Sequence, residues 1–133
     1  TTSCEATIVY AEDNEVNVQL VRQILALRPG WHLKVARNGH EALALVKAEP
    51  PDLLLLDMHL GDMTGFEVDD ALRAHPRTRD VTRVALSADA MPDRVHAARA
   101  RGFSAYLTKP LDVVVLLRCL DELLGGAGVQ HGN

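Results

Sequence analysis

The stretch of sequence that decides the fold is Pro51-Asp52-Leu53-Leu54-Leu55-Leu56-Asp57-Met58. Four consecutive leucines predict a strand that is buried on both faces, as in parallel sheets that helices cover on each side. The apolar run ends at Asp57, a carboxylate at the point where the strand leaves the core. Because ligands in open α/β sheets bind at the carboxyl ends of the strands, Asp57 is the first candidate for a functional residue.

The composition predicts a single globular domain. The chain has 133 residues, of which 47% are hydrophobic and 24% charged. The formal net charge of −4 argues against direct binding to nucleic acid. The two cysteines, Cys4 and Cys119, are too few for a disulfide framework and match no metal spacing. Neither a membrane-spanning run nor a signal peptide is recognisable, so we expect a cytoplasmic domain without direct membrane contact.

Five β-prone runs alternate with five helical patterns along the sequence. The predicted strands are 8–11, 31–36, 53–57, 81–86 and 104–108. The helices begin near Asn14, Asn38, Thr64, Met91 and Asp112, and the second and third begin with capping-box patterns, Asn38 with Glu41 and Thr64 with Glu67. In the first helix the apolar residues near one face are Val16, Leu20, Val21, Ile24 and Leu25. We predict a domain at 7–124, a tail at 1–6, and a flexible tail or linker at 125–133.

This alternation predicts an α/β fold, a (βα)5 doubly wound parallel sheet of five strands with helices on both faces. Among the known strand orders, 2-1-3-4-5 places the first and third strands side by side. That order brings Glu12 and Asp13, which follow the first strand, next to Asp57. Ser87 and Lys109, at the ends of the fourth and fifth strands, converge on the same edge.

These side chains suggest a site for a cation and an anion together. Three adjacent carboxylates repel one another unless a positive charge lies among them, and oxygen-rich sites of this kind favour Mg²⁺, with Mn²⁺ as an alternative. The lysine and the serine can hold a small anion such as a phosphoryl group. Phosphoryl transfer requires mainly positioning and charge neutralisation, and a carboxylate can serve as the nucleophile. We therefore expect an aspartyl phosphate at Asp57.

The sequence resembles a receiver domain of two-component response regulators over about residues 6–124. The matching pieces are Glu12-Asp13, Asp57 after an apolar strand, Gly65, Ser87-Ala88, Tyr106 and Lys109-Pro110. The segments 11–17 and 87–91 most resemble receivers attached to hybrid sensor histidine kinases. The resemblance implies a flavodoxin-like topology, which agrees with the predicted strand order.

The resemblance also implies the partners and the metal ligands. Asp57 would accept a phosphoryl group from a histidine kinase or a histidine phosphotransfer domain. Asp13 and Asp57 would ligate Mg²⁺ together with the backbone carbonyl of His59, and Glu12 would assist through water. No further cofactor is implied, and the domain would catalyse only its own phosphorylation and dephosphorylation, without being a turnover enzyme.

Further residues would take part in the conformational change that follows phosphorylation. Lys109 would pair with the phosphoryl oxygens, Ser87 would bond to one of them, and Tyr106 would turn inward when Ser87 moves. The Lys109–Pro110 peptide is expected to be cis. The face formed by the last two helices and the fifth strand would then change and control a partner, an attached output domain or a homodimer. Whether the chain is a stand-alone regulator or part of a longer hybrid kinase stays open.

Three positions depart from the family pattern. Gly61 lies where proline is usual, so we expect a more mobile loop after Asp57. Glu12 replaces the commoner Asp, and Ser87 stands where Thr is more frequent. Each substitution keeps the functional group that the chemistry needs.

Three other functions are compatible with the fold. An aspartyl phosphatase of the haloacid dehalogenase type would need a second Asp at the position of His59, and a flavin or dinucleotide binder would need glycines or hydroxyls in place of Glu12-Asp13. A degenerate receiver that serves only for docking would not need the complete set of acids, hydroxyl and lysine. The sequence therefore favours the phosphoryl-accepting receiver.

Overall fold

Strands and helices alternate throughout residues 5–125, which are the residues that the structure, a computed structural model, describes. The strands are β1 Ala6–Ala11, β2 Trp31–Ala36, β3 Leu53–Asp57, β4 Thr82–Ser87 and β5 Ala105–Thr108. The helices are α1 Glu15–Leu25, α2 Gly39–Ala48, α3 Gly65–Arg73, α4 Pro92–Ala100 and α5 Val113–Leu120, and a π-helical turn, Asp121–Gly125, follows α5. Residues 126–133 of the predicted tail at 125–133 lie outside the described residues, and so do residues 1–4 of the predicted tail at 1–6. No helix within 5–125 combines the length and apolar character needed to cross a membrane.

The sheet has the predicted order β2-β1-β3-β4-β5, and every neighbouring pair is parallel. Leu55 of β3 pairs with Tyr10 of β1, and Asp57 pairs with Leu86 of β4. The central position of β3 explains its sequence. Leu53 and Leu55 pack in a core with α1 and α5, whereas Leu54 and Leu56 pack in a core with α2, α3 and α4.

Side-chain caps begin the helices largely as predicted. Thr64 and Glu67 form a complete capping box, with hydrogen bonds of 3.2 and 2.9 Å. The box predicted at α2 is only half formed. Asn38 accepts the N–H of Glu41 at 2.8 Å, but Glu41 accepts the N–H of Arg37, one residue before the cap, at 2.7 Å.

Other details differ from the sequence-based predictions. Val16 and Leu20 do not face the core, since their exposed fractions are 76% and 37%. The buried stripe of α1 is Val18, Val21, Ile24 and Leu25, and residues two positions from Val18 point about 200° away from it on a helix. β1 begins two residues earlier than predicted. The sequence predicts that the third helix runs to about His75-Pro76 and the last to Leu124, whereas α3 ends at Arg73 and the α-helical part of α5 at Leu120.

Candidate functional site

The carboxyl edge of the sheet gathers the predicted acids. Glu12 directly follows β1, and Asp57 is the last residue of the neighbouring strand β3. One carboxylate oxygen from each of Glu12, Asp13 and Asp57 lies within 4.8 Å of the others. Glu12 and Asp57 are almost completely buried, at 1% and 4% exposure, whereas Asp13 is exposed. The cluster therefore opens to solvent on the side of Asp13.

Lys109 supplies a positive charge inside this cluster. Its Nζ donates hydrogen bonds to Glu12 Oε1 and to Asp57 Oδ2, both at 3.0 Å. The Lys109 backbone N–H donates to the carbonyl of Ser87 at 2.9 Å, which fixes the end of β5 against the end of β4. The following peptide, Lys109–Pro110, is cis, as expected.

Tyr10 belongs to the site, although the sequence analysis assigned it only to a strand. It is fully buried, and its hydroxyl donates to Glu12 Oε1 at 2.9 Å. The N–H of Asn14 donates to the other oxygen, Glu12 Oε2, at 3.2 Å. Residues two apart along a strand lie on the same side, so the spacing of Tyr10 and Glu12 was a usable signal.

The surroundings shift the pKa values of the two buried acids in opposite directions. Burial raises the pKa of Asp57, and the charge of Glu12 adds to this effect, whereas the His59 N–H and Lys109 oppose it without cancelling it. Burial also works against the ionised form of Glu12, but Lys109, Tyr10 and the Asn14 N–H together lower the pKa of Glu12 below its ordinary value. Of the two buried acids, Asp57 is thus the one whose charge is less well compensated.

Lys109 and Tyr10 are both protonated in this setting. Burial disfavours the charged lysine, but Asp57 and Glu12 outweigh burial and raise the pKa of Lys109. Burial, together with the charge of Glu12 and the hydrogen bond to it, raises the pKa of Tyr10. Both groups therefore act as hydrogen-bond donors to the acids.

The donor set suits a small divalent cation. Mg²⁺ and Mn²⁺ prefer carboxylate, carbonyl and water oxygens, and the three acids supply such oxygens close together. His59, whose carbonyl is the further predicted ligand, is held beside Asp57 by its N–H, which donates to Asp57 Oδ1 at 3.0 Å. Burial, and to a smaller extent the charge of Glu12, raise the pKa of Asp57, and a bound cation would offset both effects.

The two predicted switch residues contact the same loop residue, Asp89. Ser87 is buried, and its Oγ accepts the N–H of Asp89 at 3.0 Å. Tyr106 is half-buried, and its hydroxyl donates to the Asp89 carbonyl at 2.5 Å. A cavity of about 80 Å³ lies between Ser87 and Tyr106 and is also lined by Met58, His59, Thr64, Phe66, Asp89 and Arg94. The sequence-based predictions assigned no role to Asp89.

Glycine is required at position 65 because the backbone at the start of α3 passes very close to Met58. Its N–H donates to the carbonyl of Met58 at 2.9 Å, which closes the loop that follows Asp57. A Cβ at Gly65 would lie 2.3 Å from Met58 Sδ and 2.9 Å from Met58 Cα. Because the backbone cannot move away cheaply, a side chain is excluded at this position.

Comparisons with known proteins point to one family. A family model described as the response regulator receiver domain matches residues 8–121. The polar-differentiation response regulator DivK of Brucella anthropi is 33% identical over 121 residues, which cover 91% of this chain and 98% of DivK.

Solved structures agree with this match. The chemotaxis response regulator CheY4 of Vibrio cholerae superimposes with a TM-score of 0.82 at 27% identity, over 90% of this chain and 99% of CheY4. The receiver domain of the sensor histidine kinase PA1611 of Pseudomonas aeruginosa PAO1, which has a magnesium ion in its active-site cleft, has a TM-score of 0.81 at 26% identity, over 91% of this chain and 98% of that domain. This chain belongs to the receiver domains of two-component response regulators.

Proposed function

We propose that this chain is a phosphorelay receiver that accepts a phosphoryl group on Asp57. The donor is the phosphohistidine of a histidine kinase or of a histidine phosphotransfer domain. The observation that carries the proposal is the pairing of buried Asp57 with Lys109 Nζ, at 3.0 Å, inside a cluster of acids at the carboxyl edge of the sheet. A carboxylate beside a lysine and a cation-binding set of oxygens is suited to receive a dianionic group.

The transfer forms one bond and breaks another. A carboxylate oxygen of Asp57 attacks the phosphorus, the phosphorus–nitrogen bond breaks, and the imidazole of the donor leaves with the electron pair. Burial, which raises the pKa of Asp57, also makes its carboxylate more basic and hence a better nucleophile. Lys109 compensates the charge of the phosphoryl oxygens, and Ser87 donates a hydrogen bond to one of them.

Four residues would hold the divalent cation: Glu12, Asp13 and Asp57 through carboxylates and His59 through its backbone carbonyl. When bound, Mg²⁺ or Mn²⁺ supplies positive charge that neutralises the phosphoryl oxygens as they approach the acids. Tyr10 and the Asn14 N–H keep Glu12 ionised and oriented for this role. The PA1611 receiver, which contains magnesium, supports this assignment by similarity.

Phosphorylation would change the surface formed by α4, β5 and α5. Ser87 Oγ, which accepts the Asp89 N–H, would move toward the phosphoryl group in order to donate to it, and this movement would pull on Asp89. Tyr106 is bonded to the carbonyl of the same Asp89, so the change reaches β5 and the start of α4. This surface would then control a partner protein, an attached output domain or a homodimer in the cytoplasm, and the chain would be a self-modified switch without turnover of another substrate.

The proposal is tested by phosphorylation with acetyl phosphate and Mg²⁺, followed by intact-protein mass spectrometry. We expect wild type to gain one phosphoryl group and Asp57→Asn to gain none. The matched control is Asp52→Asn, which removes a carboxylate just before the same strand and should leave phosphorylation unchanged. Full phosphorylation of Asp57→Asn would contradict the proposal.

A further inference from the structure

The loop between β3 and α3, residues 58–64, has a conformation that proline at position 61 could not adopt. Gly61 has φ +84°, whereas the proline ring holds φ near about −65°. Within the loop, the Asp62 N–H donates to the Leu60 carbonyl at 2.9 Å, and the Leu60 N–H donates to the Met63 carbonyl at 3.2 Å. The backbone conformation of this loop therefore differs from that of a loop with proline at position 61.

Asp62 attaches this loop to the beginning of α2. Its carboxylate accepts the backbone N–H groups of Gly39 at 2.8 Å and His40 at 3.0 Å, and it also lies 2.6 Å from Nδ1 of His40. The first N–H groups of a helix have no partner within the helix and lie at the positive end of its dipole. The bond from Gly39 is the main reason that the pKa of Asp62 is lowered to about 2.

Packing reinforces the same attachment. A Cβ built on Gly39 would lie only 2.7 Å from Met63 Sδ and 2.8 Å from Met63 Cβ. The absence of a side chain at Gly39 thus lets the residue after Asp62 rest directly on the first turn of α2. The loop is thus attached to α2 by the hydrogen bonds of Asp62 and by the packing of Met63 against Gly39.

The anchored loop donates a hydrogen bond to one of the cation-binding acids and passes close to another. The His59 N–H donates to Asp57 Oδ1 at 3.0 Å. A Cβ on Gly61 would lie 3.9 Å from Asp13 Oδ2, so the loop backbone passes directly beside the exposed acid of the cluster. Displacing the loop would therefore disturb the surroundings of Asp13 and Asp57 and move the carbonyl of His59.

We propose that Asp62 is a positioning residue that holds the loop after Asp57 on α2 and thereby sets the affinity of the site for a divalent cation. This inference rests on the proposed function, because the cation concerned is the one required for phosphoryl transfer. Asp62 fixes the loop that contains Gly61 through its hydrogen bonds to the first turn of α2.

Cation binding to the unphosphorylated protein is the direct measurement. Titration with Mn²⁺, with the free ion followed by electron paramagnetic resonance, gives Kd without any phosphorylation step. We expect Asp62→Ala to raise this Kd about tenfold, in the range found when residues that orient metal ligands are removed. Asp62→Asn, whose amide oxygen can still accept a helix N–H, should stay within about threefold of wild type.

The matched control is Asp52→Ala. Asp52 also accepts a backbone N–H through its carboxylate, that of Thr7 at 2.7 Å, but it does so at the opposite end of β3. We expect the Mn²⁺ affinity of Asp52→Ala to equal that of wild type. Thermal unfolding in EDTA establishes that all variants are folded at the temperature of the titration.

Two results would overturn the inference. One is an unchanged Kd in Asp62→Ala, and the other is an equal loss of affinity in Asp52→Ala, which would indicate a general effect of destabilisation. Either result leaves the proposed function standing as long as wild type binds Mn²⁺ and becomes phosphorylated. If wild type does neither, the proposed function itself fails, and this inference fails with it.

Discussion

At the scale of single residues, Asp57 and Glu12 show how the environment shifts the pKa values of two carboxylates of one site in opposite directions. Both are buried and both pair with Lys109 at 3.0 Å. Glu12 has two further donors, Tyr10 and the Asn14 N–H, and its pKa is lowered. Asp57 has only the His59 N–H in addition to Lys109 among its described donors, and its pKa is raised. The protein therefore carries an energetic cost at the residue that is proposed to react.

Asp57→Asn should therefore stabilise the protein in the absence of divalent cations. Folding raises the pKa of Asp57 above the value for an unfolded Asp, about 3.9. Ionisation of Asp57 therefore destabilises the folded protein once the pH rises above about 3.9, and the destabilisation is complete when the pH exceeds the pKa in the folded state. The asparagine carries no such charge. We expect a higher free energy of unfolding at pH 7 in EDTA, and a difference that disappears as the pH falls below about 4.

Urea unfolding of wild type and variant over this pH range is the measurement. Asp52→Asn, which changes an exposed carboxylate, should show no comparable gain. An Asp57→Asn variant less stable than wild type at pH 7 would contradict the interpretation of the pKa shift.

Tyr10→Phe tests how much the hydrogen bond from Tyr10 to Glu12 contributes to stability. The change removes a buried hydrogen bond to a charged acceptor, and we expect a loss of about 1.5–3 kcal/mol in the free energy of unfolding. Tyr106→Phe, which removes a hydrogen bond from a half-buried tyrosine to a neutral carbonyl, should cost only about 1 kcal/mol. Chemical denaturation at pH 7 measures both, and equal losses would argue against a special role of Tyr10.

At the scale of secondary-structure elements, caps and strand burial position the site. β3 is buried on both faces and ends at Asp57, and the chain then returns within seven residues to the cap of α3, Thr64. The isolated bridge between His59 and Thr64 links the residue proposed as a carbonyl ligand to that cap. The start of α3 is thus part of the structure that supports the loop after Asp57.

Thr64→Ala should cost about 1 kcal/mol in the free energy of unfolding, because it leaves the N–H of Glu67 without its cap. Thr64→Ser keeps the accepting oxygen and should cost much less. The comparison is made by urea unfolding in the presence of EDTA, so that cation binding does not contribute. Equal stability of the alanine and serine variants would show that the capping oxygen contributes nothing measurable.

At the scale of the whole molecule, a buried ionic cluster joins α3, β4 and the end of α4. Asp69 and Arg83 are buried, with Arg83 Nε 2.5 Å from Asp69 Oδ1 in an ion pair that is not aligned as a hydrogen bond. Arg101, just after α4, adds an ion pair to Asp69 at 3.3 Å, and its carbonyl accepts from Arg83 Nη2 at 3.2 Å. The cluster lies toward the end of β4 opposite to Ser87.

Removing one partner of this pair should be far more costly than removing both. Asp69→Leu leaves Arg83 buried and without its charge partner, and we expect a loss of about 3–5 kcal/mol in the free energy of unfolding. The double variant Asp69→Leu with Arg83→Met should recover a large part of that loss, since well-packed apolar residues can replace a buried pair. A double-mutant cycle measured by urea unfolding tests this, and strictly additive losses would contradict the expected coupling.

A phosphorylation assay tests whether the structural role of the Asp69–Arg83 pair is independent of the phosphorylation site. Because the Asp69–Arg83 pair lies away from the carboxyl edge of the sheet, the folded double variant should still accept a phosphoryl group from acetyl phosphate. A loss of phosphorylation in a fully folded double variant would show that the cluster influences the site.

The features that depend on local pattern could be predicted from the residues alone. The leucine run of β3 required burial on both faces, and the alternation of strands and helices with short loops restricted the topology to a doubly wound sheet. Since the carboxyl ends of parallel strands meet at one edge, the positions of Glu12, Asp13, Asp57, Ser87 and Lys109 along the chain were enough to predict that they converge. These inferences succeed because side-chain periodicity and chain connectivity are properties of the sequence itself.

Contacts between side chains of different elements could not be predicted in this way and are known from the three-dimensional fold. The orientation of α1 on the sheet exposes Val16 and Leu20 and buries Val18, which the apolar pattern alone did not distinguish. The attachment of Asp62 to α2 and the pairing of Asp69 with Arg83 likewise join residues that lie 14 to 23 positions apart. Such contacts depend on the exact placement of helices and loops against the sheet, and no local periodicity encodes that placement.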